Sequence, residues 1–291
     1  MTNERRGPRI FASLVESFMS SPQFQELAEN SKQLWGRELK QAGDLANLGI
    51  FSLKEIRPSL VQKYLDGLNG RPGKQAAALA ALKAIDRWGT KRDKLQRQIT
   101  FGVETNRPEG GHVPWSRGQV QRAERVARYD LAQAITLGAN TGQRISDLVR
   151  MQWSDIEKYK GHDGINVTQE KTGRTLWVPI NDKLAAAMAT WQRRDIGPIL
   201  LRDGAPWQSR HLTDLWDYEK KTNNGLKEHK ELGLVMHGLR GHRCVQLSRE
   251  GLTDHQIGDI VGMSFRMVER YTRLSAQRDN ALAALGRTKG D

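Results

Sequence analysis

The chain has 291 residues, of which 37% are hydrophobic and 27% charged, long enough for two cored domains and too apolar for wholesale disorder. Its net charge of +13 is shared: 17 basic against 11 acidic residues in 1–104, and 29 against 22 in 105–291, so both halves suit a long polyanion, nucleic acid first. A single cysteine, Cys244, excludes an internal disulfide and any multi-cysteine zinc site, and no run of about 18 apolar residues offers a membrane span.

The N-terminal MTNERRGPRIFASLVESF lacks the uninterrupted apolar core and small-residue cleavage site of a signal peptide, so the expected setting is a reducing cytoplasm. Residues 1–99 read as a domain of short helices. FASLVESFM has helical apolar spacing and stops before Pro22. In FSLKEIRPSLVQKYLDGL, Ser52 and Glu55 have the spacing of a capping box, and Leu60, Val61, Tyr64, Leu65 and Leu68 form an apolar helical face. After the NGRPG turn, Leu79, Leu82, Ile85 and Trp88 recur every third residue, which predicts an amphipathic helix with a basic end, its apolar face packed in a core.

Residues 100–114, within TFGVETNRPEGGHVPW, are rich in Gly and Pro and aperiodic, and predict a linker. Residues 115–291 form the second predicted domain. Ser116 and Gln119 predict a capped helix, followed by the small and apolar YDLAQAITLGANTG. Arg144 then opens a predicted helix with Ile145, Leu148, Val149 and Trp153 on its core side. Ile165 and Val167, then Leu176, Val178 and Ile180, alternate on either side of KTGR, a hairpin signal. Helices return after Lys183 and end in a short basic helix, Phe265 to Arg273, then a separate amphipathic segment, LSAQRDNALAALG, with Leu274, Leu282 and Leu285 on one stripe. The expected fold is mainly α with a small β-sheet.

Four features of the second domain carry possible chemistry. Arg144 follows a Thr-Gly turn, where a guanidinium fork beside free helix N–H groups would cradle an oxyanion, or where it could simply pair with Asp147. Lys171 sits in the hairpin turn, solvent-facing or poised over a substrate. His237 and Arg240 lie three apart in MHGLRGHR, and Tyr271 lies in ERYTR; each alone could be structural.

Their order, TGQRISDL, EKTGR, HGLR and ERYTR, resembles the tyrosine recombinase, or phage integrase, family over about Trp115 to Arg273. The resemblance implies a two-domain DNA clamp, a helical core-binding domain joined to a catalytic domain, that cuts and rejoins DNA at specific sites. It implies that Arg144 and Arg240 clamp the nonbridging phosphate oxygens. Tyr271 would be the nucleophile that forms a 3′-phosphotyrosyl intermediate, His237 the general base and Lys171 the general acid. Asp147 would orient Arg144. No metal, ATP or other cofactor is expected, since the arginines and lysine supply the positive charge. Lys74, Lys91, Arg92 and Arg174 are candidate DNA contacts.

One position departs from the family pattern. Where the family commonly has a His or Trp donor after a glycine, this chain reads VGMSFRMVERY, placing Met263 there. A thioether donates no hydrogen bond, and loss of one oxyanion donor typically costs about 100- to 1000-fold in rate, so slow cleavage is expected. His242 and His255 are the candidates to replace the donor.

The resemblance further implies double-stranded DNA with specific sites as partner, a homotetramer on two sites, and possible accessory DNA-bending proteins. The tail segment would dock either on its own domain or on a neighbouring protomer. With the first helical domain expected to begin almost at Met1, little room for a separate arm-site domain is expected. A non-catalytic DNA-binding protein on the same fold, favoured by Met263, and a type IB topoisomerase-like nicking-closing enzyme are the rival readings.

Overall fold

A computed structural model describes residues 10–105, 111–194 and 196–287. The chain divides into two compact units, Met1–Glu109 and Gly110–Asp291.

In the first unit, α1 (Phe11–Met19), α2 (Pro22–Gln25), α3 (Glu29–Ala42), α4 (Pro58–Asp66) and α5 (Pro72–Thr90) enclose one apolar core. Phe11, Leu14, Phe18, Val61, Leu65, Leu82 and Ile85 lie at its centre, and the faces expected on α4 and α5 are the faces buried. Ser52 and Glu55 do bond to each other, but they close a turn rather than open a helix. The reason is Pro58: it forces Arg57 into extended backbone, so α4 starts with the proline at its first position. After α5 the chain folds back. Buried Asp86 accepts the N–H groups of Ile99 at 3.1 Å and Thr100 at 2.8 Å, and Val103 enters the core. The first residues of the 100–114 stretch therefore pack with the first unit.

The second unit is built around α7 (Tyr129–Thr141), which is buried along nearly its whole length because YDLAQAITLGANT carries no charge after Asp130. Around it lie α6 (Arg117–Val126), with the expected Ser116–Gln119 capping box, and α8 (Ile145–Leu148). A sheet of β1 (Ile156–Tyr159), β2 (His162–Thr168) and β3 (Thr175–Pro179) follows. The chain continues through α9 (Asp182–Met188), a two-stranded ribbon of β4 (Leu201–Arg202) and β5 (Ala205–Pro206), α10 (Ser209–Thr222) and α11 (Lys227–Glu231). It closes with α12 (Gly238–Arg249), α13 (Asp254–Val261) and α14 (Phe265–Arg287).

The expected hairpin is β2–β3, antiparallel, with Ile165 opposite Val178 and Val167 opposite Leu176, all four facing the core. The added strand β1 pairs on its other edge.

Two expected elements differ. The stretch from Arg144 to Trp153 is not one helix: α8 ends at Leu148, and Trp153–Asp155 is a separate 3-10 turn. Between them the chain is drawn straight by tertiary pairing, as Met151 O accepts Ile199 N–H at 2.8 Å and Gln152 bridges Pro198. The C-terminal end is one helix rather than two, because nothing between Phe265 and Leu285 breaks it. The tail stripe of Leu274, Leu282 and Leu285 lies outside the described residues, their side chains being beyond what the structure describes. No helix among the described residues is long and apolar enough to cross a membrane.

Candidate active site

Two helices of the second unit end the same way. α7 stops at Gly142 (φ 65°) and α13 at Gly262 (φ 68°), both left-handed, a backbone that glycine adopts without strain. Such ends leave carbonyls without helical partners and carry the negative end of the helix dipole. Arg240, near the start of α12 and 1% exposed, lies between them. Its Nη1 donates to Gly142 O at 2.7 Å and its Nη2 to Val261 O at 3.2 Å. A guanidinium this deeply buried is held by two helix termini, and among the described residues no carboxylate is hydrogen-bonded to it. Burial, and then the like charge of Arg144, pull it down to about 10, so it stays charged at neutral pH.

Arg144 follows directly from the turn at Gly142. Its backbone is extended, and its carbonyl accepts the N–H groups of Asp147 at 2.9 Å and Leu148 at 2.8 Å. With only four residues in α8, this is no long helix terminus aimed at an anion; the guanidinium itself is the positive group. Arg144 Nη1 lies 3.7 Å from Asp147 Oδ2, and both atoms are buried without a hydrogen-bond partner among the described residues. The other oxygen of Asp147 accepts Glu170 N–H at 2.9 Å, which ties the arginine's segment to the hairpin. The Arg144 side chain is 21% exposed, so part of its guanidinium reaches solvent while Nη1 faces the carboxylate.

His237 directly precedes α12, its side chain making no capping hydrogen bond, and its ring lies 4.6 Å from that of His112. Burial pushes its pKa down to about 4, with further lowering from His112, Arg240, Arg144 and Lys171. At neutral pH the imidazole is therefore uncharged, and in the absence of a neighbouring anion it is a weaker base than a free histidine. Lys171 stands exposed in the turn between β2 and β3, with no hydrogen-bond or ion-pair partner among the described residues.

Tyr271 is 5% exposed and sits on α14 in a small cluster with Cys244, Leu247, Ile257, Val261 and Val268. Its ring rests on Gly241, where a side-chain carbon would come within 2.8 Å of it. Burial raises the hydroxyl pKa, while Arg240 and Arg270 oppose that rise. Among the described residues the Tyr271 hydroxyl and His237 do not hydrogen-bond to each other. The site thus groups Arg144, Arg240 and His237, brings Lys171 to their edge, and keeps Tyr271 packed beside α12.

Met263 follows Gly262 with its sulfur 4.0 Å from Cys244 Sγ, half-buried against the same small cluster. The two candidate replacements are placed differently, His242 buried and His255 exposed. His242 Nδ1 is held by Trp115 O at 2.7 Å, and His255 stacks on Phe265 with ring centroids 5.0 Å apart. Of the candidate DNA contacts, Arg92 covers the Trp88 ring at 5.2 Å, Lys91 is exposed, Lys74 lies half-buried in the first turn of α5, and Arg174 pairs with Asp259 at 2.8 Å.

Three residues of this region carried no sequence signal. His112 lies in an aperiodic Gly/Pro-rich stretch, whereas Gln143 and Gln169 are buried amides whose neighbours, not themselves, belong to the recognisable motifs.

The family model described as "Phage integrase family" matches residues 120–278. A stretch of 74 residues is 38% identical to the "Prophage integrase IntE" of Escherichia coli (strain K12), covering 25% of this chain and 18% of that relative, so the chain spans under a fifth of it in this match. The fold is similar to that of a lambda integrase dimer bound to a COC′ core site, with TM-score 0.70 and 17% identity over 89% of this chain and 76% of that one. A lambda integrase tetramer bound to a Holliday junction gives TM-score 0.72 and 16% identity over 90% and 77%. The Tn1549 transposon integrase in complex with circular intermediate DNA gives 0.71 and 15% over 91% and 95%.

Proposed function

Because the chain belongs to the phage integrase family of tyrosine recombinases, we propose that it is a site-specific recombinase acting on double-stranded DNA through the residues grouped around Arg240. The observation that carries this reading is a guanidinium buried between two helix C-termini, beside a second arginine and a neutral histidine.

A phosphodiester resists attack because it is an anion, and its transition state gathers charge on the nonbridging oxygens. Arg240 spends two of its five N–H groups on carbonyls and keeps three for those oxygens; Arg144, its Nη1 beside Asp147 and its side chain 21% exposed, adds a second guanidinium. Tyr271 attacks phosphorus, and its proton passes to the His237 imidazole. The bond from phosphorus to the 5′-oxygen breaks as Lys171 delivers a proton to that oxygen. The products are a 3′-phosphotyrosyl linkage and a free 5′-hydroxyl, and attack by a 5′-hydroxyl reverses the step and rejoins the strand. Two arginines and a lysine supply the charge, so the scheme uses neither metal nor ATP. Tyr271 must leave its packed position to reach the phosphate, so DNA binding and release of α14 are coupled in this account.

Four protomers on two DNA sites, with possible DNA-bending accessory proteins, complete the proposal, as does the division into a helical core-binding domain and a catalytic domain. Met263 and the buried Tyr271 favour one rival, a DNA-binding protein without cleavage activity. The two separate on a nicked duplex carrying the chain's own site, recovered by selection from a random-sequence pool. A covalent protein–DNA band on a denaturing gel that is lost in Tyr271→Phe supports the recombinase; a bound but never covalently linked wild type supports the rival.

A further inference from the structure

We infer that Gln143 and Gln169 are a positioning pair that holds the Lys171 hairpin in register with the two arginines, an inference that rests on the recombinase reading. Gln169, fully buried just after β2, spends both Nε2 hydrogens inside the protein: one on Gln143 Oε1 at 2.7 Å, one on Val261 O at 3.1 Å. A carbonyl only accepts, so the nitrogen end of Gln169 must face Val261, which leaves Gln143 to present its oxygen. Gln169 Oε1 in turn accepts from Thr172 Oγ1 at 3.0 Å, across the turn that carries Lys171.

The acceptor at the centre is the same Val261 carbonyl that Arg240 Nη2 holds at 3.2 Å. Gln143 sits between Gly142, whose carbonyl holds Arg240 Nη1, and Arg144 itself. A parallel tie joins the next residue of the hairpin to the same segment, since Glu170 N–H donates to Asp147 Oδ1. The two residues before Lys171 are thus bonded to Gln143, just before Arg144, and to Asp147, three residues after it. Gly262 makes room for this: a side-chain carbon there would fall 2.2 Å from Gln169 Nε2.

Two buried amides gain little stability over an apolar pair of equal volume, because their desolvation offsets their hydrogen bonds. What they add is direction: they bond in one register only. The lysine stem is long and flexible, and Lys171 has no partner of its own among the described residues, so the base of its hairpin determines where its ammonium can reach. Losing the pair leaves Gly142 O and Val261 O in place for Arg240. The defect should therefore fall on protonation of the leaving oxygen rather than on the phosphate clamp.

The test compares single-turnover cleavage of the selected nicked duplex carrying the ordinary 5′-oxygen with the same duplex carrying a 5′-bridging sulfur, which departs as a thiolate without needing a proton. Gln169→Leu should slow the oxygen substrate by about a hundredfold, the loss typical of a reacting group misplaced by an ångström. It should cleave the sulfur substrate at close to the wild-type rate, and adding Lys171→Ala should slow it no further than Lys171→Ala alone. Thr172→Val, on the surface, should show the same selective loss to a smaller extent and decides the matter if Gln169→Leu does not fold. Equal losses on both substrates, or no loss in either variant, overturn the inference. A wild type that forms no adduct on either substrate removes the recombinase reading and this inference with it; an unrescued loss removes the inference alone.

Discussion

Replacing Arg240 by lysine tests whether this side chain joins the fold to the chemistry. Arginine bridges two carbonyls, at 2.7 and 3.2 Å, in a site only 1% exposed. A single ammonium on a shorter stem reaches one of them, and the other becomes a buried acceptor without a donor, at a cost of about 1–3 kcal/mol. For a unit of this size each kcal/mol lowers the melting temperature by roughly 2–4 °C, so Arg240→Lys should melt about 2–12 °C below wild type. The positive charge is retained, so DNA affinity measured by fluorescence anisotropy should change only a few-fold. Cleavage should fall by about 100- to 1000-fold, because a point charge cannot bind two phosphate oxygens as a fork does. A variant that melts with the wild type and cleaves within a few-fold of it would refute the bridging role.

The remaining predictions address neighbouring residues. His237 has a folded-state pKa near 4, against about 6.5 unfolded. The unfolded chain therefore binds the proton more tightly: the histidine's contribution to stability is full above pH 6.5 and is lost as pH falls from there toward 4. An imidazole NMR titration should place His237 near 4 without DNA and higher with a phosphate beside it; a midpoint near 6.5 in the free protein contradicts the burial argument. Gly262→Ala places a methyl in left-handed backbone and against buried Gln169, and should destabilise by about 2–5 kcal/mol in denaturant unfolding, backbone strain and overpacking together. Wild-type stability would show that the backbone shifts freely there. Met263→His should raise the cleavage rate while lowering stability, since the thioether now packs against Cys244; an unchanged rate means that this position does not face the phosphate.

Much of the fold was legible because periodic patterns coincide with the buried faces. Leu79, Leu82, Ile85 and Trp88 lie on the core side of α5, and Ile165, Val167, Leu176 and Val178 on the core side of the hairpin. The break after Leu148 was not legible, because Ile145, Leu148, Val149 and Trp153 suit a helix equally well and only pairing with residues 198–199 draws the chain straight. The motif residues could be picked out, but their support could not. Arg240 depends on two carbonyls contributed by residues 98 positions before it and 21 after it, and backbone acceptors leave no trace in side-chain patterns. His112 is close to His237 only through tertiary folding, and its surrounding sequence carries no motif. The burial of Tyr271 likewise follows from how α14 packs on α12, which the sequence ERYTR does not encode.

The most direct test of the account is to identify the bond it requires. Wild-type protein incubated with the selected nicked duplex, digested with nuclease and trypsin, should yield by mass spectrometry a peptide carrying a nucleotide 3′-phosphate on Tyr271. The modification should be absent in Tyr271→Phe and strongly reduced in Arg240→Lys. A nucleotide on any other residue, or none on a protein shown to occupy its site, would contradict the assignment of Tyr271 as nucleophile and of this region as the cleavage centre.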